Sequence, residues 1–253
     1  MKKYRINIQR DTLKYLEKNK NKFNSVVKRY ETNNVIQGKI FNSCVRVGVV
    51  GMDTLEAVGY FQEMMKRKFA FLIMANSSNP GGGYKLASPA QEESIARRTN
   101  LIPCITSVKY PIPEFGALYI KNISIIRDLE TKKYSYLDKP IISDCVLSSA
   151  YSNPLIKDGV MEKKYRRNTM IKIRAMFNIL LENSNTNIIL SAYGCGAYGN
   201  DPVDMANIFK EVISEYKYRF ENIIFAIVKD QWSKNYSTFN EMFGSFEIAS
   251  STK

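Results

Sequence analysis

The sequence predicts an α/β fold with a largely parallel sheet. Three observations predict it. Short apolar runs that end in turn residues, such as Phe69–Ala75, read as buried strands. Helical patterns alternate with such runs, so the region from Val45 to Ala75 reads β-α-β. Two glycine-rich loops each lie between a strand and a marked helix start, where open α/β sheets bind ligands.

A chain of 253 residues suits one large α/β domain or two small ones, and 45% hydrophobic residues supply a core. Residues 11–31 read as helical, with an imperfect stripe of Leu13, Tyr15, Leu16, Phe23, Val26, Val27 and Tyr30; a polar NKNK interrupts it, so two shorter helices fit as well as one. Val35–Phe41 and Val45–Val50 read as short strands. Asp53 N-caps a helix with Glu56 completing a capping box, and Leu55, Val58, Phe61 and Met65 mark its buried face. Ala117–Ile120, Ile123–Ile126 and Ile141–Leu147 read as strands, with Tyr134 and Tyr136 in a polar hairpin. Residues 161–182 read as a helix that buries Ile171, Ala175, Met176, Ile179 and Leu180; Lys163, Lys164, Arg166, Arg167, Lys172 and Arg174 then read as a solvated basic face. Ile188–Ser191 and Ile223–Val228 are strands around a helix capped by Asp201 with Pro202 in its first turn. The tail from Ala249 reads as loose.

Composition excludes whole classes of chemistry. There is no histidine, so every Ser-His, Cys-His and His-metal mechanism is excluded. Acid–base work falls to carboxylates, Lys, Tyr or Cys. Cys44, Cys104, Cys145 and Cys195 form no CxxC pair and read as reduced thiols, which points to an intracellular protein. The start MKKYRINIQRD has no apolar h-region, and no run reaches ~18 apolar residues, so neither a secretory signal nor a membrane span is expected. A net charge of +13 favours polyanionic partners, nucleic acid among them, and equally fits a solvated Lys-rich surface.

The sharpest stretch is Ala75–Leu101. Asn76 and Asn79-Pro80 end the strand, and Gly81-Gly82-Gly83 follow, able to take φ > 0 and let a ligand approach the backbone. Ser88 reads as an N-cap, Pro89 as the first helical residue and Gln91 as the partner in a capping box. Glu92 and Glu93 then sit in the first turn, beside free backbone N–H groups. The second loop is Tyr193-Gly194-Cys195-Gly196-Ala197-Tyr198-Gly199-Asn200. Gly194, Gly196 and Gly199 spell GxGxxG, with Asp230 after the next strand, as in a dinucleotide fingerprint. Only 23 residues follow Asp230, which leaves no room for a doubly wound domain to continue. A diphosphate suits the loop in either fold, because its N–H groups are donors. Two such loops on one sheet edge would clamp one phosphate-bearing ligand.

The pattern GGG, seven residues, then QEE resembles the signature of bacterial-type poly(ADP-ribose) glycohydrolases, which are catalytic macrodomains. Asn76, Asn79-Pro80, RRTNLIPC at Arg97–Cys104 and SAYGCGAYGNDP at Ser191–Pro202 resemble it too. The likeness spans Val45 to Val228 and departs at Leu86-Ala87-Ser88, where that group often has Asn-Gly-Ala. It implies a three-layer α/β/α macrodomain-like fold with a mixed, largely parallel sheet, placed in residues 34–253; the N-terminal helical extension in residues 1–33 is read from its own apolar stripe, since the first 40 residues carry no such likeness. It implies hydrolysis of ribosyl–ribose bonds of poly(ADP-ribose), releasing ADP-ribose, without metal or cofactor, and ADP-ribosylated proteins as partners. Glu93 would be the catalytic acid/base. Glu92 and Asn76 would hold the riboses, with Asn79, Gly81, Gly82, Gly83 and Gln91 around them. Gly194, Cys195, Gly196, Ala197, Gly199 and Asn200 would hold the diphosphate, and Tyr198 would pack at the distal ribose.

Chemistry agrees independently: an oxocarbenium-like route needs a carboxyl group to protonate the leaving oxygen and then activate water. Adjacent helical residues diverge by ~100°, so the two glutamates cannot flank a bond and one must make both proton transfers. A helix N-terminus favours the charged carboxylate, whereas a general acid needs its proton; burial and Glu92 would have to outweigh the dipole. A non-catalytic ADP-ribose reader, a hydrolase of mono-ADP-ribosylated side chains and a nicotinamide-dinucleotide oxidoreductase are the rival readings.

Overall fold

The computed structural model describes residues 1–32 and 38–248. In chain order the elements are α1 (Lys2–Lys18), β1 (Val26–Tyr30), β2 (Arg46–Val50), α2 (Thr54–Met65), β3 (Ala70–Met74), α3 (Gln91–Arg98), α4 (Leu101–Ile105), β4 (Ala117–Arg127), β5 (Tyr136–Ser148), β6 (Ile156–Lys157), β7 (Val160–Met161), α5 (Lys163–Glu182), β8 (Asn187–Leu190), α6 (Pro202–Glu215), β9 (Asn222–Ala226) and α7 (Asn235–Phe243).

The main sheet has seven strands in the order β1-β4-β5-β3-β8-β9-β2. From β5 to β2 all neighbours are parallel; β1–β4 and β4–β5 are antiparallel. Side chains alternate across it, as strand geometry requires. Ala70, Leu72, Ile188, Leu190, Ile223 and Phe225 face α5, α6 and α7, joining Met176, Phe177, Phe209, Val212 and Phe239. Phe71, Ile73, Ile189 and Ile224 face α2, α3 and α4, with Leu55, Phe61, Ile95 and Leu101. Helices thus cover both faces, giving the three-layer α/β/α arrangement, and the parallel strands end along one edge. The loops after β5, β3 and β8 are neighbours there, which positions the site.

The helix starts at Asp53 and Asp201 stand as read. Asp53 accepts from the N–H of Leu55 and Glu56 in a full capping box, and Asp201 from Val203 and Asp204. Other expectations are corrected. The helix over 11–31 is instead α1, which begins at Lys2 and ends at Lys18, followed by a 3-10 turn over Lys20–Lys22. The polar NKNK stops it, and β-branched Val26 and Val27 lead an edge strand paired with β4. The Val35–Phe41 run lies partly outside the described residues, and Gly38–Phe41 is not a strand. The expected strands 117–120 and 123–126 are one strand, β4, with a bulge where Asn122 takes φ 58° and its N–H bonds Asp144. Tyr134 is buried and accepts a hydrogen bond from Arg97 Nε, while Tyr136 opens β5. On α5, Ile173 is buried in the core and Ile171 only half-buried. Lys172 is buried too, so it is not part of a solvated face. Arg166 and Arg174 pair with Glu211 and Glu215 of α6. The tail from Ala249 lies outside the described residues. Among the described residues no helix is long and apolar enough to cross a membrane.

Candidate active site

The loop after β3 is built by its own polar groups. Asn76 Oδ1 accepts from the N–H of Ser78 and Asn79, a side-chain turn that starts the loop. Gly81 and Gly82 take φ of 74° and 56°, and Gly82 donates to the Asn79 carbonyl. A 3-10 turn over Tyr84–Leu86 leads to Ala87 at φ 64°. Ala87 stands where the resembling group often has glycine. The left-handed turn survives with a Cβ, at a cost of about 1 kcal/mol.

The helix after the loop starts later than the sequence suggests. The N-cap of α3 is Ala90, not Ser88, and no side chain caps it. Gln91 makes no capping box. Its Oε1 accepts from Met74 N–H at 2.8 Å, and its Nε2 donates to the Leu72 carbonyl and Thr54 hydroxyl. The amide therefore straps α3 to the end of β3, and both of its ends are committed. Arg97, fully buried, draws the Ser88 carbonyl to itself at 3.0 Å, which holds Ser88 out of the helix.

Glu92 and Glu93 occupy the first turn of α3 and are 3% and 7% exposed. Glu92 accepts from Asn76 N–H at 2.7 Å on one oxygen and from Gly81 N–H at 3.1 Å on the other. Glu93 Oε1 accepts from Gly83 N–H at 2.7 Å; its second oxygen has no bond among the described residues. The two side chains leave the helix in different directions yet converge over Gly82. A Cβ there would lie 2.6 Å from Glu93 Oε1 and 2.9 Å from Glu92 Oε2, so only a bare Cα fits. Burial, with the neighbouring Glu93 charge, pushes Glu92 up to about 8 against the pull of its two backbone bonds. The expectation that both glycine loops clamp a phosphate-bearing ligand is corrected for this one: the N–H groups of Gly81, Gly82 and Gly83 are all spent inside the protein.

The loop after β8 differs. Its Gly194, Gly196, Ala197 and Tyr198 face a cavity of about 520 Å³, shared with Met74–Asn76, Ser88–Glu93 and Ala150. The N–H groups of these four loop residues have no hydrogen-bond partner among the described residues. Gly194 and Gly199 are needed by the fold, since a Cβ would meet Asn200 or Asn153 at 2.6 and 2.5 Å. At Gly196 a Cβ meets nothing within 4 Å. Asn200 is buried and ties the loop, donating to the carbonyls of Tyr151, Gly194 and Tyr198. Cys195 packs its side chain against the core and does not line the cavity. Asn79 is exposed and lies on a neighbouring cavity.

Residues 2–141 match the family model of the microbial-type PARG (poly(ADP-ribose) glycohydrolase) catalytic domain. The chain belongs to this family. Microbial-type PARGs are glycosidases that act on poly(ADP-ribose), and the chain is such a hydrolase. The poly(ADP-ribose) glycohydrolase of Thermomonospora curvata superposes with a TM-score of 0.82 at 20% identity, covering 94% of this chain and 99% of that one. Its complex with the inhibitor ADP-HPD superposes at 0.78, with the same identity and coverage. The glycohydrolase of Deinococcus radiodurans in complex with ADP-ribose gives 0.69 at 22% identity, covering 80% and 86%. These likenesses show the fold. No curated protein matches the sequence.

Sequence reasoning missed Ala150 and the Ser88–Ala90 wall. The signal for Ala150 is its place just beyond β5, a strand parallel to β3 and ending at the same edge. Nothing in the local pattern marks the wall, because Arg97 shapes it from a distance.

Glu92 carries a pH signature that this microbial-type PARG should show. Its carboxyl has an ordinary value near 4.5 and a folded value of about 8. Between these the folded state holds a proton that the unfolded state releases, so stability falls as pH rises, by up to ~1.4 kcal/mol per unit. Urea unfolding at pH 5, 6, 7 and 8 should show a steeper fall for the wild type than for Glu92→Gln. Equal slopes would mean that Glu92 is ionised in the fold.

Proposed function

We propose that Glu93 is the proton-transferring residue for hydrolysis of the ribosyl–ribose bond, with Glu92 as its strut. The observation that carries this is the uneven use of the two carboxyl groups. Both Glu92 oxygens are held by backbone N–H groups, whereas Glu93 keeps one oxygen unbonded. In the reaction the glycosidic C–O bond breaks, and the leaving oxygen takes a proton from Glu93. Water then adds to the oxocarbenium-like carbon and returns a proton to the Glu93 carboxylate. Below about pH 8 a neutral Glu92 removes the like charge beside Glu93 and keeps a proton within the doublet.

The ligand's diphosphate is assigned to the second loop alone. Its unpartnered N–H groups and bare Gly196 support this, whereas the glycine N–H groups of the first loop are spent inside the protein. Asn76, on the wall between the loops, is placed at the distal ribose together with Tyr198. Tyr198 lines the cavity at that end, with its hydroxyl near Ser149 and the Ser77 N–H. Gln91 and Gly81–Gly83 act by shaping the site. The inhibitor and ADP-ribose complexes of the two bacterial glycohydrolases accord with this ligand. ADP-ribosylated proteins are the proposed carriers of the polymer, and free Cys44, Cys104, Cys145 and Cys195 support an intracellular setting. The segment 1–33 is proposed as a brace: Thr12 and Gln9 of α1 bond the carbonyls of Arg97 and Ala96 behind the catalytic helix.

Glu93→Gln should bind ADP-ribose as the wild type does and lose roughly 10²–10⁴ in turnover of poly(ADP-ribose). More than half of wild-type activity would end the assignment. Gly196→Val should fold, since its Cβ finds open space, and calorimetric titration should show strongly weakened ADP-ribose binding. An affinity within twofold of wild type would make the loop a structural turn.

A further inference from the structure

A second cavity, of about 500 Å³, adjoins the first. The two share Asn76, Ala150 and Tyr198 as a common wall. Its other sides are the start of the glycine loop (Ser77–Asn79), the Ile112–Glu114 segment, the loop after β5 and Lys172 of α5. None of these residues has a part in the proton transfer or in diphosphate binding at the second loop.

Lys172 is the unusual group. It is 5% exposed, and burial pushes it down to about 8. A buried ammonium is costly unless its charge and its three N–H groups are answered. Lys172 Nζ donates to the Glu114 carbonyl at 2.7 Å and lies 4.6 Å from the centre of the Tyr151 ring. It forms no ion pair among the described residues, and two donors remain unspent. The Glu114 carboxylate is exposed and accepts from the Tyr151 hydroxyl, so it faces solvent more than the ammonium. Hydroxyls of Ser77, Ser78, Ser149 and Ser152 complete the lining.

The order of strands says what belongs there. The second loop, after β8, lies on one side of β3; the second cavity lies on the other, toward β5. A ligand with its diphosphate at the β8 loop and its distal ribose at Asn76 has its scissile bond at the β3 loop. Whatever is joined across that bond leaves toward β5. In poly(ADP-ribose) that is the adenosine ribose of the next unit, which carries its own diphosphate.

We propose that this second cavity is the leaving-side subsite, with Lys172 as the cation that binds the diphosphate of the neighbouring ADP-ribose unit and the serine hydroxyls as partners for its ribose. This rests on the assignment of the reacting unit to the first cavity. Lys172 is a binding residue for polymer and has no contact with free ADP-ribose. Its buried charge is answered when an anion enters, which makes the subsite a means of preferring polymer over product.

The test compares polymer and product on the same variants. Lys172→Met keeps the stem beside Tyr151 and removes the charge. Its KM for poly(ADP-ribose) should rise about tenfold, while its Kd for ADP-ribose stays within twofold of wild type. Ser152→Asp places a carboxylate at the exposed rim, where folding is not at stake, and should raise the polymer KM in the same way. Polymer KM values within twofold of wild type in both variants would overturn the subsite. So would a loss of ADP-ribose affinity equal to the rise in KM, since Lys172 would then serve the first cavity. Failure of the wild type to cleave the polymer would instead strike the functional reading itself.

Discussion

Three backbone N–H groups of one loop, those of Asn76, Gly81 and Gly83, are held by the carboxyl groups of two adjacent glutamates. Most of the site depends on that arrangement. A loop rich in glycine has the most conformational entropy to lose on ordering. Here it is ordered by acceptors delivered from a helix, and the helix is fixed in turn by Gln91 to β3 and by α1 behind it. The carboxyl groups are buried by the same contacts. That burial raises the proton affinity of Glu92 against the pull of its two backbone bonds, and the bonding pattern leaves one oxygen of Glu93 uncommitted.

The two glycine loops look alike in sequence and do opposite things. In the first, the glycines let the chain turn tightly around side chains of the protein itself. In the second, two glycines serve the turn, and at the third, Gly196, no contact within the protein requires a bare Cα. The N–H groups of Gly194, Gly196, Ala197 and Tyr198 have no partner among the described residues, the arrangement that receives an anion. In the proposal, the clamp between two equivalent loops therefore becomes one catalytic wall and one binding wall.

Much of this was legible in the sequence where the signal is local. Asp53 and Asp201 cap helices because a carboxylate beside free N–H groups needs no distant partner. The apolar runs of β3, β8 and β9 declared buried parallel strands. The start of α3 departs from the local pattern because distant groups decide it: Gln91 bonds a strand 17 residues back, and Arg97 takes the carbonyl of Ser88. Val26 and Val27 fit a helical stripe and a strand equally, and pairing with β4 settles it. Lys172 looked like one more surface cation on a basic helix. Only the fold shows that its turn of α5 faces the Glu114 carbonyl.

The division of labour between adjacent glutamates is the central claim, and chemical rescue tests it most directly. Glu93→Ala and Glu92→Ala would each be assayed on poly(ADP-ribose) with increasing formate, a small carboxylate able to occupy the vacated space and carry the proton. If Glu93 transfers the proton, turnover of Glu93→Ala rises with formate, and Glu92→Ala shows no such recovery, because formate cannot restore a strut that orders the loop. Recovery of Glu92→Ala alone would contradict the account and exchange the two roles.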